Sequence, residues 1–293
     1  MTFEIKKATR KKLKLKVGLQ GASGSGKTYS ALLLAKGIVG DWNDVYFIDT
    51  ENDSATYYAD LGPFNHCSFK PPYSPERFIE AIDACITDGA KVVVVDTMSH
   101  EWEGKGGCLD IHNEVTQAMR NPNSYMAWSK VTPRHNKFVD HMRTCNVHLI
   151  GCMRAKQDYI LDDSKGKAVP KKVGLKGVQR DGLDYEFGLV FTIDMDHEAF
   201  AEKDRTGIFS GKPKEKISEK TGETLLKWAD SGAVIGYTGT NEQKKELMRI
   251  CKEDHAIEET SVLKEIHEEM ISQNIAFDAL EQSIGVYVAE RTI

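Results

Sequence analysis

The chain carries the stretch LKLKVGLQGASGSGKT at residues 13–28, and this stretch decides the fold. A short apolar run ends in a glycine-rich turn, after which a helical segment begins. Glycines, a lysine and a threonine follow the G-x-x-x-x-G-K-[ST] spacing of a phosphate-binding loop, whose backbone N–H groups point at phosphate oxygens. The motif predicts a nucleotide site made by Gly21, Ala22, Ser23, Gly24, Ser25, Gly26, Lys27, Thr28 and Tyr29.

The residues that close this loop predict ATP and Mg²⁺ as cofactors. Lys27 is expected to act in catalysis by reaching the β- and γ-phosphates, and the Thr28 hydroxyl is expected to bind Mg²⁺. A metal held in this way needs a carboxylate at the end of a neighbouring strand. Asp96 ends the β-branched run KVVVVD at residues 91–96. Thr28 and Asp96 are therefore the predicted metal ligands.

Strand and helix patterns alternate along most of the chain. Apolar runs of strand length occur at residues 13–19, 45–49, 91–96, 146–152, 186–194 and 198–209. Helical patterns lie between them, at residues 27–38, at residues 74–88 and from Thr132 and Pro133 onward. This alternation predicts an α/β fold with a mainly parallel sheet flanked by helices.

The remaining segments predict the domain organisation. Residues 98–125 and 154–180 are expected to be long connections between these elements. From Thr240 onward, apolar residues recur at the three-to-four spacing of helices. We predict a basic N-terminal segment at residues 1–12, a core at residues 13–238 and a small helical appendage at residues 239–293.

Composition excludes several classes of protein. The 293 residues are 40% hydrophobic and 28% charged, which is typical of a globular protein and excludes collagenous or largely disordered chains. No apolar run reaches the roughly 18 residues of a membrane span, so we expect a soluble, cytoplasmic protein without a membrane partner. Six scattered cysteines without a C-x-x-C pair indicate a reducing compartment rather than a zinc site.

The segment VYFIDTENDSATYYADLG at residues 45–62 resembles the RecA-like recombinase ATPases, a family with a phosphate-binding loop. In that family the second strand ends in an acidic triplet, and an aromatic-containing helix and a Leu-Gly pair follow. The resemblance implies a RecA-like ATPase core in which Glu51 is the catalytic base that orients and deprotonates the attacking water. Such proteins hydrolyse ATP.

Two further stretches carry this resemblance. The strand at residues 146–152 lies where the RecA-like strand ends in a glutamine that senses the γ-phosphate; here Arg154 is the preferred candidate for that role. Lys203 and Arg205, in AFAEKDRTGIF at residues 199–209, match a basic pair that RecA-like proteins extend to the neighbouring subunit's ATP. The resemblance implies catalysis in trans, in a ring or filament of identical subunits with ATP at their interfaces.

The segments KKVGLKGVQRDGLDYEF at residues 171–187 and LLKWADSGAV at residues 225–234 are similar to phage-encoded ATPases of recombination and single-strand annealing. This resemblance implies a protein that binds single-stranded DNA and assists annealing or strand exchange in an infected bacterial cell. It also implies DNA-stimulated hydrolysis and a single-strand-binding protein as a further partner.

The charge distribution indicates where DNA would bind. The net charge is −5, but residues 242–293 alone carry −6, which leaves +1 on residues 1–241. Within that part, residues 1–16 and residues 164–180 each carry +6. A lysine-rich loop with glycines can follow a phosphate backbone. We therefore predict that single-stranded DNA contacts Lys165, Lys167, Lys171, Lys172, Lys176 and Arg180.

Other functions of a phosphate-binding loop remain open at this point. One alternative is a helicase, a helicase loader or a DNA-packaging motor, which processive unwinding or movement along DNA would distinguish. Another is a small-molecule kinase, which would transfer phosphate to a metabolite and usually carries an arginine-rich lid. A third is a scaffold whose assembly is gated by nucleotide.

Overall fold

A computed structural model describes residues 13–162, 169–231, 239–257, 259–272, 275 and 280–291. For residues 157–162, 169–175, 242, 290 and 291 it describes the backbone alone. The described chain forms a large unit, Lys14–Trp228, and a separate C-terminal unit that begins at Ala229. The division predicted at residues 238–239 stays a prediction.

A sheet forms the centre of the large unit. Its described strands are β1 (Lys16–Gly21), β2 (Val45–Asp49), β3 (Asn65–Ser68), β4 (Val92–Asp96), β5 (His148–Asp162), β6 (Val169–Gly177), β7 (Leu189–Ile193) and β8 (Ala199–Asp204). They lie in the order β3-β2-β4-β5-β1-β7-β8, and β6 pairs with β5 outside this path. All neighbours are parallel except β7 with β8 and β5 with β6. The α/β fold with a mostly parallel sheet is therefore confirmed.

Helices cover this sheet. The described α-helices of the large unit are α1 (Lys27–Val39), α2 (Pro75–Thr87), α3 (Ser99–Glu103), α4 (Cys108–Ala118), α5 (Ser124–Thr144) and α6 (Glu219–Asp230), the last two residues of which belong to the C-terminal unit. Every residue of β4 is buried, as expected of a strand covered on both faces. On one face Val93 and Val95 pack with Phe78 of α2 and Phe138 of α5. Because β1, β2, β4 and β5 are parallel, the segments after them meet at one sheet edge.

The expectation of a long loop at residues 98–125 is wrong, because the segment contains α3, α4 and the start of α5. The expectation that a helix opens at Thr132 is wrong as well. Asn123 caps α5 by accepting a hydrogen bond from the Met126 backbone N–H at 3.1 Å, and Pro133 lies inside the helix. An internal proline costs roughly 3 kcal/mol, but the stacked Trp102 and Trp128 rings and the buried Val131 pack the preceding turns of α5 against α3 and α4 and so favour a helix there.

The expectation of a polar connection at residues 154–180 is also corrected. Strand β5 continues beyond the sheet, and antiparallel pairing with β6 runs from Ala155 opposite Gly177 to Asp162 opposite Val169. These two paired strand segments, residues 155–162 and 169–177, are called the hairpin below.

The described helices of the C-terminal unit are α7 (Asn241–Glu253), α8 (Thr260–Ser272) and α9 (Leu280–Arg291). Thr240 and Gln243 form a capping box at the start of α7. Leu247, Ile266 and Ile284, one from each helix, share a buried cluster. The predicted C-terminal helices are confirmed. Among the described helices of the whole chain, none is long and apolar enough to cross a membrane.

Candidate nucleotide site

The loop between β1 and α1 has a backbone that requires glycine. Gly24 and Gly26 have φ angles of 81° and 91°, in the left-handed region that disfavours side chains. A Cβ on Gly21 would lie 2.5 Å from the Ser25 hydroxyl and 2.6 Å from the Ile193 carbonyl oxygen. Because α1 begins directly after this loop, its free N-terminal N–H groups and its dipole make the loop a site for phosphate oxygens.

Lys27 lies in the first turn of α1 and is largely buried. Its ammonium donates hydrogen bonds to two carbonyl oxygens of the loop, those of Gly21 at 3.1 Å and Ala22 at 2.8 Å. These contacts hold the positive charge against the loop, where a bound polyphosphate would meet it.

Thr28 and Asp96, the two predicted metal ligands, lie in direct contact. The Thr28 hydroxyl donates to Asp96 Oδ2 at 2.6 Å, while the other carboxylate oxygen of Asp96 is buried without a hydrogen-bond partner. Burial raises the pKa of Asp96 to about 6, although the Thr28 hydrogen bond opposes this shift. A hydroxyl beside an unsatisfied carboxylate oxygen is a suitable donor set for Mg²⁺, so these residues fit the metal.

Glu51 follows β2 in a turn that Asp49 fixes. The two carboxylate oxygens of Asp49 accept hydrogen bonds from the backbone N–H groups of Glu51 and Ala55, each at 2.7 Å. Arg154, which follows the sheet-forming part of β5, donates to Glu51 Oε1 from Nη2 at 2.6 Å and from Nε at 2.9 Å. The structure thus joins the predicted base and the predicted phosphate sensor in an ion pair, which the sequence did not indicate.

Thr50 links the ends of β2 and β4 behind this pair. Its hydroxyl oxygen accepts a hydrogen bond from the Thr97 N–H at 2.7 Å and lies 2.8 Å from His100 Nδ1. Tyr73 donates to the Thr50 carbonyl at 3.0 Å and stacks on the His100 ring. Burial lowers the pKa of His100, which favours the neutral imidazole. These contacts fix the backbone beside Glu51.

A cavity of about 430 Å³ brings most of these groups together. Glu51 and Arg154 line it with six of the nine predicted nucleotide-site residues, namely Ser23, Gly24, Gly26, Lys27, Thr28 and Tyr29. The other three, Gly21, Ala22 and Ser25, complete the loop without lining the cavity. Cavities of this size hold small organic ligands.

Five further residues line the same cavity, although no sequence motif predicted them: Ser30, Tyr58, His197, Lys216 and Ile217. His197 lies in the turn between β7 and β8, and its Nδ1 is 3.0 Å from the Ser25 carbonyl oxygen. No motif marks His197, because it reaches the loop only through the pairing of β7 with β1. Tyr58 had a signal, since it belongs to the aromatic segment after Glu51; its ring packs edge-on against Tyr29.

Lys203 and Arg205 lie outside this cavity. The Lys203 ammonium donates to the carbonyl oxygens of Asp184 and Tyr185, and Arg205 Nη2 donates to the Tyr185 carbonyl at 3.3 Å. Burial and the nearby Arg205 charge lower the pKa of Lys203. The two cations share one surface of the chain, and their action in trans stays a prediction.

Four of the six residues predicted to contact DNA are among the described residues, and these four lie on or beside the hairpin. Lys165 and Lys167 fall outside the described residues, and Lys171 and Lys172 lie on β6, where the backbone alone is described. Two others follow near the end of that strand. Lys176 is exposed and forms an ion pair with Asp181 at 2.8 Å, and Arg180 has a buried Nη1 without a hydrogen-bond partner.

Comparison with known proteins shows the family of the chain. The family model described as AAA domain matches residues 13–252, which include the phosphate loop, Glu51, Asp96 and Arg154. No curated protein matches the chain. Because the matched range covers most of the sequence, the chain belongs to the AAA-domain family of P-loop ATPases.

Proposed function

We propose that this ATPase binds single-stranded DNA through the hairpin and that bound DNA stimulates its hydrolysis of ATP. We further propose that it assists annealing or strand exchange in recombination, beside a single-strand-binding protein in the cytoplasm of an infected bacterial cell. The RecA-like and phage resemblances of the sequence support this role. The contact between Arg154 and Glu51 carries the structural argument.

The proposed roles at the nucleotide site follow from the groups around the cavity. The phosphate loop and the α1 N-terminus bind the phosphates, and Lys27 stabilises negative charge on them. Thr28 and Asp96 hold Mg²⁺, which when bound neutralises charge on phosphate oxygens. Glu51 orients the attacking water and accepts its proton.

Arg154 connects this chemistry to the hairpin. Both Arg154 hydrogen bonds go to one carboxylate oxygen of Glu51, Oε1, so Arg154 fixes where this carboxylate lies in the cavity. The hairpin begins at the next residue, Ala155, and the Val178 N–H donates to the Arg154 carbonyl at 2.6 Å. A ligand that shifts the hairpin therefore shifts Arg154 and changes how Glu51 is held. This link supports DNA-stimulated hydrolysis.

The charge of the hairpin region favours a polyanion as that ligand. Residues 164–180 contain six cationic and no acidic side chains. Positive charge on an extended two-stranded element can follow several phosphates of one strand. We also propose that Lys203 and Arg205 act on the ATP of a neighbouring subunit within a ring or filament, where they would stabilise developing charge.

DNA binding is tested by fluorescence anisotropy of a labelled single-stranded oligonucleotide over a series of salt concentrations. The variant carries alanine at Lys165, Lys167, Lys171 and Lys172. We expect weaker binding and a log–log salt slope that is shallower by about 0.7 for each lost phosphate contact.

A charge-matched control carries alanine at four exposed lysines of α5 and α6, namely Lys130, Lys137, Lys220 and Lys227. It should bind the oligonucleotide as wild type does. Equal affinities and slopes for wild type and the hairpin variant would overturn the proposed DNA site.

A further inference from the structure

Gln179 lies just after the second strand of the hairpin, and its side chain is 8% exposed. Its amide nitrogen donates to the Met98 carbonyl at 3.0 Å and to Glu101 Oε2 at 3.1 Å. Its amide oxygen accepts a hydrogen bond from the Arg180 N–H at 2.8 Å. A buried amide with all these partners has one defined orientation, so Gln179 fixes the end of β6 against the segment that contains Met98 and Glu101.

That segment, residues 97–101, directly follows the predicted metal ligand Asp96. The Thr97 hydroxyl and the Met98 N–H both donate to the Cys152 carbonyl at 2.9 Å. The Ser99 hydroxyl accepts a hydrogen bond from the Arg154 N–H at 3.0 Å. Residues 97–101 therefore contact the strand end that carries Arg154, in addition to the Thr50 contact described above.

Glu101 gives the link its rigidity. Its side chain is fully buried, and its carboxylate lies 3.0 Å from His135 Nδ1 and 3.1 Å from the Cys108 thiol, besides the Gln179 amide. A buried carboxylate needs such donors, because losing one leaves charge without solvation. Burial and the Glu101 charge raise the pKa of Cys108, which keeps the thiol protonated as a donor. Gln179 thus joins the hairpin to a fixed point of the core.

We infer that Gln179 is a positioning residue for ATP hydrolysis: it holds residues 97–101 from the base of the hairpin and transmits the hairpin's position to Asp96 and Arg154. This inference rests on the proposed function. Gln179 does not line the nucleotide cavity, so it acts through the backbone of the segment that it holds. Its loss should lower turnover without removing nucleotide binding.

The test compares Gln179→Met, which keeps the side chain's size and removes its donors, with the matched control Gln117→Met on the exposed face of α4. ATP hydrolysis is measured with and without single-stranded DNA, and amide hydrogen exchange is followed in residues 97–103. We expect Gln179→Met to lower kcat by about tenfold to a hundredfold, as small displacements of catalytic groups do, with KM within about threefold of wild type. Exchange should rise in residues 97–103, and the control should match wild type.

A folded Gln179→Met with wild-type kcat and wild-type exchange would overturn the inference, and so would faster exchange with unchanged kcat. If this variant does not fold, Gln179→Asn takes its place, because it keeps the amide on a shorter side chain. We again expect a lower kcat and a nearly unchanged KM. Failure of the proposed function has a different signature. Wild type would then hydrolyse ATP without responding to DNA, while Gln179→Met would still lower kcat.

Discussion

Replacing Glu51 with glutamine should separate catalysis from stability. The Glu51–Arg154 pair is about one-third exposed, with side-chain exposures of 30% and 41%. Solvent screens such a pair, so its loss should change the free energy of unfolding by no more than about 1 kcal/mol. A general base contributes about 10²- to 10⁴-fold in rate, which corresponds to about 3 to 5 kcal/mol of the activation barrier. Glu51→Gln should therefore lose most of its turnover and remain folded.

Three measurements on the same preparation test this separation. They are phosphate release under saturating ATP, equilibrium binding of a fluorescent ATP analogue, and urea denaturation. Glu76→Gln is a matched control, because Glu76 pairs with Arg134 at 2.7 Å and similar exposure. We expect turnover to fall by about 10²-fold or more in Glu51→Gln alone, with nucleotide affinity retained in both variants. Turnover within about tenfold of wild type in a folded Glu51→Gln would refute the assignment of the base.

Four further outcomes follow from the structure. Asp96→Asn should retain nucleotide yet lose Mg²⁺-dependent hydrolysis, as phosphate release over a Mg²⁺ titration would show. Gly21→Ala places a Cβ 2.5 and 2.6 Å from two oxygen atoms and should destabilise the fold by about 1–3 kcal/mol in urea denaturation. A Cβ on Gly24 would lie 3.9 Å from Met195 Cε, an ordinary van der Waals contact, so Gly24→Ala should cost only the roughly 1–2 kcal/mol of left-handed strain. Burial lowers the pKa of His148 to about 4, from 6.5 in the unfolded chain. The folded protein therefore favours the neutral imidazole, and the resulting stability is fully present above pH 6.5. This stability is lost as the pH falls from 6.5 towards 4, because the unfolded chain binds the proton more readily. Between pH 7.5 and pH 5, urea denaturation should show wild type losing about 2 kcal/mol relative to His148→Gln.

The sequence predicts those parts of the site whose positions follow from a local motif or from the end of a strand. The phosphate loop lies where its motif places it, between β1 and α1. Thr28 and Asp96 meet because the loop and the end of β4 open at the same edge of a parallel sheet. Glu51 lines the same cavity for that reason, since β2 neighbours β4.

The sequence does not predict contacts that depend on strand order and packing. Glu51 and Arg154 are 103 residues apart, and no local pattern records that their side chains meet. His197 reaches the phosphate loop because β7 lies beside β1 in the sheet. The order of the strands along the chain does not predict this neighbour. At Pro133 the local signal for a helix start is overridden, because Trp128 and Trp102 pack the preceding residues into α5.

The most direct test of the account is the rate of ATP hydrolysis by the full chain, with and without saturating single-stranded DNA. It is measured at one protein concentration for wild type and for the variant with alanine at Lys165, Lys167, Lys171 and Lys172. DNA should raise the wild-type rate and leave the rate of the hairpin variant unchanged. A wild-type rate that ignores DNA, or stimulation that survives in the hairpin variant, would contradict it.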